Sequence, residues 1–358
     1  MFSRYFEVKT VDYVPKGERE DIELWKSQGV ESVIYYNVIR AKMSFVIEGK
    51  IYDMQTGDRT FHKNFKGTED NYRKTAHEFS DEIVRSFTGQ RGISHTKIVF
   101  VNDGTGKKEL YVSDYDGANV KKITSDNSIC ITPRWDPDGK RLAYTSWKMG
   151  NPDLFVMDVS GTEKKRISSY QGLNTSPSWL ASGDKFVLTL SRGKSPNIFM
   201  INLKGEILKQ ITYGKNINTS SSISKTGTQI IFISDKSGLP QMYLTDTDGA
   251  NTRRIYTDGY SDTPCFSPRG DAIAFSMKTT GPGFFDIYIY DIMNSKQYQL
   301  TSNSASNESP SFSPDGRFIT FSSTRNGKKE IFTMFADGSG QMRLLNIKGN
   351  SEMPDWSP

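Results

Sequence analysis

The sequence predicts a mainly β protein, a six-bladed β-propeller preceded by a small α/β domain. Three observations predict it: a motif recurring every 43 to 46 residues, four short strands within each period, and a partial copy of the motif at 353–358. The motif is clearest over 132–146, Thr-Pro-Arg-Trp-Asp-Pro-Asp-Gly-Lys-Arg-Leu-Ala-Tyr-Thr-Ser. Aligned on Pro133, it returns at Pro177, Ser221, Pro264, Pro310 and Pro354, and the turn glycine keeps step at Gly139, Gly183, Gly227, Gly270 and Gly316. Proline presets φ and glycine accepts φ > 0, so Pro-Asp-Gly closes a first hairpin, and Asp-x-x-Gly, as at 158–161 and 246–249, closes a second. Periods in the forties built of four strands are propeller blades.

Counting closes the ring. Six blades over 97–358 take about 44 residues each. Blade 1 has only its three outer strands, from Lys97 to Thr124, and 353–358 is expected to supply the inner one, leaving no open sheet edge between first and last blades. The lysine pairs at 121–122 and 164–165 fall on fourth, outermost strands, where lysine discourages edge-to-edge pairing.

Residues 1–92 have a different rhythm and form the expected α/β domain, with the propeller over 97–358. A strand is expected over 4–11, and a helix carrying Ile22, Leu24 and Trp25 should stop at Gly29. Partial alternation over 32–40, 43–54 and 60–66 predicts a three-stranded meander. Tyr72, Ala76, Phe79, Ile83 and Phe87 then step by three or four, an apolar stripe on a helix that Thr68 or Asp70 could cap and Gly89 could end.

The net charge of +5 is spread along the chain, which argues against nucleic acid as a partner. No window approaches the ~20 apolar residues of a membrane span, and Met-Phe-Ser-Arg-Tyr-Phe has no signal-peptide core, which by itself points to the cytoplasm. Cys130 and Cys265 fall on opposite blades and should stay free thiols. His62, His77 and His95 all precede the repeats and none has a second ligand at metal spacing. No Gly-x-Ser-x-Gly elbow, phosphate loop or paired-cysteine site occurs. No catalytic residue, metal or cofactor is therefore expected. An acid–base pair in the channel remains the alternative, making the protein a propeller hydrolase or lyase; a third reading is the propeller half of a split peptidase.

Binding should use the face where the long loops emerge. Those before the Pro133-type position and those between second and third strands are separated by two strands, so they share a face, while the tight turns occupy the other. The residues rimming the channel there are Ile131, Thr132, Thr175, Ser176, Thr219, Ser220, Asp262, Thr263, Glu308, Ser309, Glu352 and Met353. Asp262, Glu308 and Glu352 fall on adjacent blades, an expected negative arc that would orient a cationic group of the partner.

Trp25 before a meander and the run Ala76-His-Glu-Phe-Ser-Asp-Glu-Ile-Val-Arg-Ser-Phe-Thr-Gly-Gln-Arg-Gly92, leading into Thr96-Lys-Ile-Val-Phe-Val101, resemble the TolB family of the Tol-Pal system. With the six repeats, the resemblance covers nearly the whole chain. It implies a non-enzymatic, monomeric periplasmic scaffold. In this role the funnel face receives the lipoprotein Pal, peripheral to the outer membrane, supports envelope integrity and constriction at division, and is exploited by bacteriocins. Family members contact TolA through an N-terminal segment, which is expected to be absent or very short before the 4–11 strand.

Overall fold

The turn glycines of the first hairpins, Gly139, Gly183, Gly227, Gly270 and Gly316, all have φ between 66° and 76°. A side chain with a Cβ is strained there, so the spacing of these glycines fixes where each blade begins. The computed structural model describes residues 18–193, 195–279 and 283–358, and the chain divides into two compact units, 1–95 and 96–358.

The second unit is six four-stranded antiparallel sheets. Five are continuous in sequence, over 130–168 (blade 2), 174–210, 218–255, 259–299 and 307–343 (blade 6). Blade 1 is composite: the strand Ser351–Trp356 pairs antiparallel with Lys97–Asn102, and two further strands follow out to Lys122. Thus 353–358 closes the ring, as the partial repeat predicts. Five blades carry an aromatic pair across their second and third strands, such as Phe100–Tyr111, Tyr144–Phe155 and Phe321–Phe332, with ring centroids 5.8–5.9 Å apart. These directly opposed pairs fill the space between blades and pin register.

Around the channel a second device joins the blades. In four blades the residue after the Pro133-type position presents its side chain to the backbone of the next blade. Ser178, Ser222 and Ser311 accept the N–H groups of Ile223, Phe266 and Trp356 (3.2, 3.3 and 3.1 Å), and Asp355 accepts that of Trp135 at 2.8 Å. In blade 2 the residue is Arg134, a donor, and the junction keeps only the Trp179 indole N–H donating to the Arg134 carbonyl at 3.1 Å, as the Trp135 indole does to the Asp355 carbonyl. Cys130 and Cys265, in blades 2 and 5, are free.

Blade 4 departs from the pattern at Ser221, where the other five blades have proline. Its hydroxyl is buried without a partner among the described residues. Ser221→Pro should therefore raise stability by about 0.5–1 kcal/mol, through lower unfolded-state entropy and removal of an unsatisfied hydroxyl. A higher denaturation midpoint at unchanged m-value checks this.

In the first unit, helix α1 (Glu18–Ser27) stops before Gly29 (φ 70°). Strands β1 (Ser32–Ala41), β2 (Ser44–Asp53) and β3 (Arg59–Thr68) form the meander, and helix α2 (Tyr72–Thr88) ends on left-handed Gly89. Thr68 caps a short 3₁₀ turn at Glu69–Asn71, leaving Asn71 at the N-cap of α2. Phe79 packs edge-on against Phe65, over Gly49, where a Cβ would lie 2.4 Å from its ring. Only the centre of the predicted stripe is buried. Phe79 and Ile83 are covered, whereas Tyr72 and Phe87 at its ends are exposed. The expected 4–11 strand lies outside the described residues. Beyond α2, the buried Asp81 carboxylate accepts the Ser94 N–H (2.8 Å) and meets the His95 ring (2.7 Å), tying down the end of the Thr-Gly-x-Arg-Gly segment.

Candidate binding face of the propeller

Each first strand is interrupted at the same place. Pairing with the second strand shifts between Ile131 and Arg134, Thr175 and Ser178, Thr219 and Ser222, Asp262 and Cys265, Glu308 and Ser311, and Glu352 and Asp355. Inside each bulge one non-glycine residue is left-handed: Thr132, Ser176, Ser220, Thr263, Ser309 and Met353, with φ of 47–58°. That conformation costs about 1 kcal/mol or more per residue, most for β-branched threonine. A bulge bends the strand and re-aims its side chains. All twelve rim positions lie in or beside these six bulges, eleven of them half-buried and Glu352 buried.

The two families of long loops do share a face. In every blade the residue closing the loop between second and third strands offers its carbonyl to the first strand of the following blade: Lys108 to Cys130, Pro152 to Asn174, Pro196 to Asn218, Pro240 to Ser261, Phe285 to Asn307 and Lys329 to Ser351, at 2.7–3.0 Å. Exposed apolar side chains on these loops gather in blades 2, 4 and 5, as Ile129, Met149, Ile217, Leu239 and Phe284.

The hydroxyls of the rim are tied inward. Thr132 Oγ1 lies 3.1 Å from Thr145 Oγ1, which also donates to Thr175 Oγ1 (3.2 Å). Thr189 donates to Thr219 at 3.4 Å, and Ser220 donates to Asp262 Oδ1 at 3.1 Å. Asp262 also accepts the Thr263 N–H, while Thr263 Oγ1 and the Ser309 N–H both meet Ser276 Oγ. Burial pushes the Asp262 carboxyl above the ordinary range despite the Thr263 and Ser220 donors, and nearby Glu308 pushes it further.

The expected negative arc is corrected by the loops opposite. Lys329 Nζ bridges Glu308 Oε2 (3.3 Å) and Glu352 Oε2 (3.0 Å), and Lys108 Nζ binds Glu352 Oε1. Two lysines of this chain thus occupy the arc. Lys108 and Lys329 end the loops of blades 1 and 6, where blades 2 to 4 end in proline and blade 5 in phenylalanine. The recurring Gly-Lys-Lys at 106–108 and 327–329 was the available signal. Burial opposes ionisation of Glu352, but Lys108 and Lys329 outweigh it and hold the carboxyl below its usual 4.5. Burial likewise opposes the Lys329 charge, and Glu308 and Glu352 outweigh it, raising that pKa.

A depressed carboxylate pKa contributes stability that is complete above the unfolded value and is lost as pH falls through the folded one. The propeller should therefore lose part of its stability on acidification below about pH 4.5. Glu352→Gln should flatten that limb of the pH–stability curve, which denaturant melts from pH 3 to 6 would read.

A family described as the TolB β-propeller domain matches residues 84–358. The chain belongs to the TolB β-propeller family. TolB from Acinetobacter baumannii superposes with a TM-score of 0.86 at 25% identity, over 99% of this chain and 89% of that one. The Tol-Pal system protein TolB of Geobacter sulfurreducens is 38% identical over 122 residues, 34% of this chain and 28% of that protein. That of Desulfosudis oleivorans is 32% identical over 157 residues, 42% and 36% respectively. The chain thus aligns with only part, 28–36%, of the length of these curated relatives. No described helix is long and apolar enough to cross a membrane.

Proposed function

We propose that this chain is a non-enzymatic periplasmic scaffold of the Tol-Pal envelope system that binds the lipoprotein Pal at the funnel face. Through Pal it supports outer-membrane integrity and constriction at division. The observation that carries the reading is the ring of six left-handed residues. Strain repeated at one position in every blade, on the face where all the long loops meet, is the expense a protein maintains at a site it uses. Two further features support it. The inter-blade hydrogen bonds hold the rim rigid, which lowers the entropy lost on docking. The mouth carboxylates accept bonds from this chain's own lysines, hydroxyls and amides, an arrangement suited to shape and register more than to proton transfer.

Titration calorimetry of the lipid-free periplasmic domain of Pal against the chain tests the reading. Ile217→Asp with Leu239→Asp, both on the rim of blade 4, should weaken binding at least tenfold by placing charge in the contact. Asp138→Lys, on a tight turn of the opposite face, should leave it unchanged. Equal loss from both variants, or no binding by the unaltered chain, would refute docking at the funnel.

A further inference from the structure

We infer that the funnel face recognises an acidic segment of its partner, with Lys108 and Lys329 receiving the partner's carboxylate. The inference rests on the docking reading above and reverses the polarity expected from Asp262, Glu308 and Glu352 alone.

The geometry of the cluster points to it. Glu352 holds one lysine on each carboxylate oxygen, so the two ammonium groups flank the same carboxylate. An ammonium has three donors. Lys108 places one on Glu352, and Lys329 places one on Glu352 and one on Glu308, so both retain donors. Both cations are more accessible than Glu352, and Glu308 is as exposed as Lys329. The side chain of Lys108 is 40% exposed and that of Lys329 31%, against 9% for Glu352. An approaching group therefore meets the ammonium groups before the carboxylate that positions them.

Of the two loop families on this face, the one between second and third strands is predominantly basic, whereas the other carries Asp126 and Asp258. The loops between second and third strands carry Lys108, Lys148, Arg192, Lys236 and Lys329, in five of the six blades, with Lys148 lying 3.5 Å from Asp126. Their described acids are Asp103 and Asp235, and both are committed to tying loops. Asp103 accepts the Asn350 N–H (2.7 Å) and side-chain amide (2.9 Å), and Asp235 accepts the Ile217 N–H (2.9 Å). Glu308 and Glu352 stand among the lysines and would repel a dense polyanion, and apolar residues share the same rim. Both features favour an acidic protein loop over a lipid headgroup surface.

Association of the Pal periplasmic domain with the chain, followed by stopped-flow at 20 mM and 500 mM salt, tests this. Lys108→Gln with Lys329→Gln should slow association about tenfold at low salt, and the difference should shrink below about twofold at high salt, because exposed complementary charge acts on encounter and is screened. The pair also supports Glu352, so Lys236→Glu provides a second variant. Lys236 is exposed and its side chain makes no bond among the described residues, and its reversal should slow association about threefold at low salt. If the glutamine pair fails to fold, Lys236→Glu decides alone. Unchanged or faster association of the folded variants, with the unaltered chain binding normally, overturns the inference and leaves funnel docking intact. Absence of Pal association by the unaltered chain overturns both. Lysine-dependent capture of the chain by phosphatidylglycerol vesicles, without a lysine effect on Pal, overturns it in favour of a membrane surface.

Discussion

Deleting 351–358 is expected to abolish cooperative folding of the propeller. The deletion removes the inner strand of blade 1 and the whole ladder that Ser351–Trp356 forms with Lys97–Asn102. It also removes Trp356, which is buried, lies beside Phe318 of blade 6 and donates its indole N–H to Thr96 Oγ1 at 2.8 Å. Burying an aromatic side chain of this size contributes about 3 kcal/mol, and each lost hydrogen bond about 1 more. The expected loss therefore exceeds about 5 kcal/mol, comparable to the whole stability of many domains. The exposed edge of Lys97–Asn102 would then pair between molecules. Thermal melts and light scattering read the outcome, and a truncated chain that melts as the full chain does would disprove closure by this strand. Trp356→Ala is a graded version, expected to cost about 3–5 kcal/mol with the ladder retained.

Asp355→Ala is expected to have the next largest effect, about 2–4 kcal/mol. Its carboxylate joins three blades, accepting the Trp135 N–H of blade 2 and the Ser311 hydroxyl of blade 6 (3.3 Å) from its own place in blade 1. Alanine leaves the amide of buried Trp135 without its acceptor. It also removes the partner of Arg134, whose guanidinium lies 3.6 Å away. That side chain is more than a third exposed, so solvent screening limits the ion-pair contribution, and the orphaned amide dominates. Asp355→Asn keeps an acceptor of the same shape and should cost about 1 kcal/mol. Equal destabilisation by alanine and asparagine would show that charge, not the hydrogen bond to Trp135, matters at this junction.

The repeats made the fold legible because proline and glycine have backbone preferences strong enough to be read directly. Pro133 and Gly139, with their copies, locate every first hairpin, and 353–358 announces closure. The bulges were not legible, since threonine, serine and methionine at 132, 176 and 353 resist the left-handed conformation and give no local sign of it; tertiary pairing imposes it. Charge was misread at the mouth for a different reason. Glu352 and Lys108 are 244 residues apart and belong to two loop families. Comparing one position per blade showed the acids without the cations that face them. The stripe on α2 keeps its period but is buried only at Phe79 and Ile83, because periodicity does not report how much of a helix face is covered.

The composite blade also dictates an order of events during synthesis. Lys97 and Ser357 are 260 positions apart, yet the Lys97 N–H donates to the Ser357 hydroxyl at 2.9 Å and the Ser357 N–H donates to the Lys97 carbonyl at 2.8 Å. Blades 2 to 6 each bring together strands made within about 40 residues of one another and can form as they emerge. Blade 1 must wait with an unpaired strand edge until all five have been made. Its three early strands are the segment that needs protection from aggregation in the nascent chain, and the lysines at 107 and 108 and at 121 and 122 that flank the middle strand provide charge there from the moment it appears.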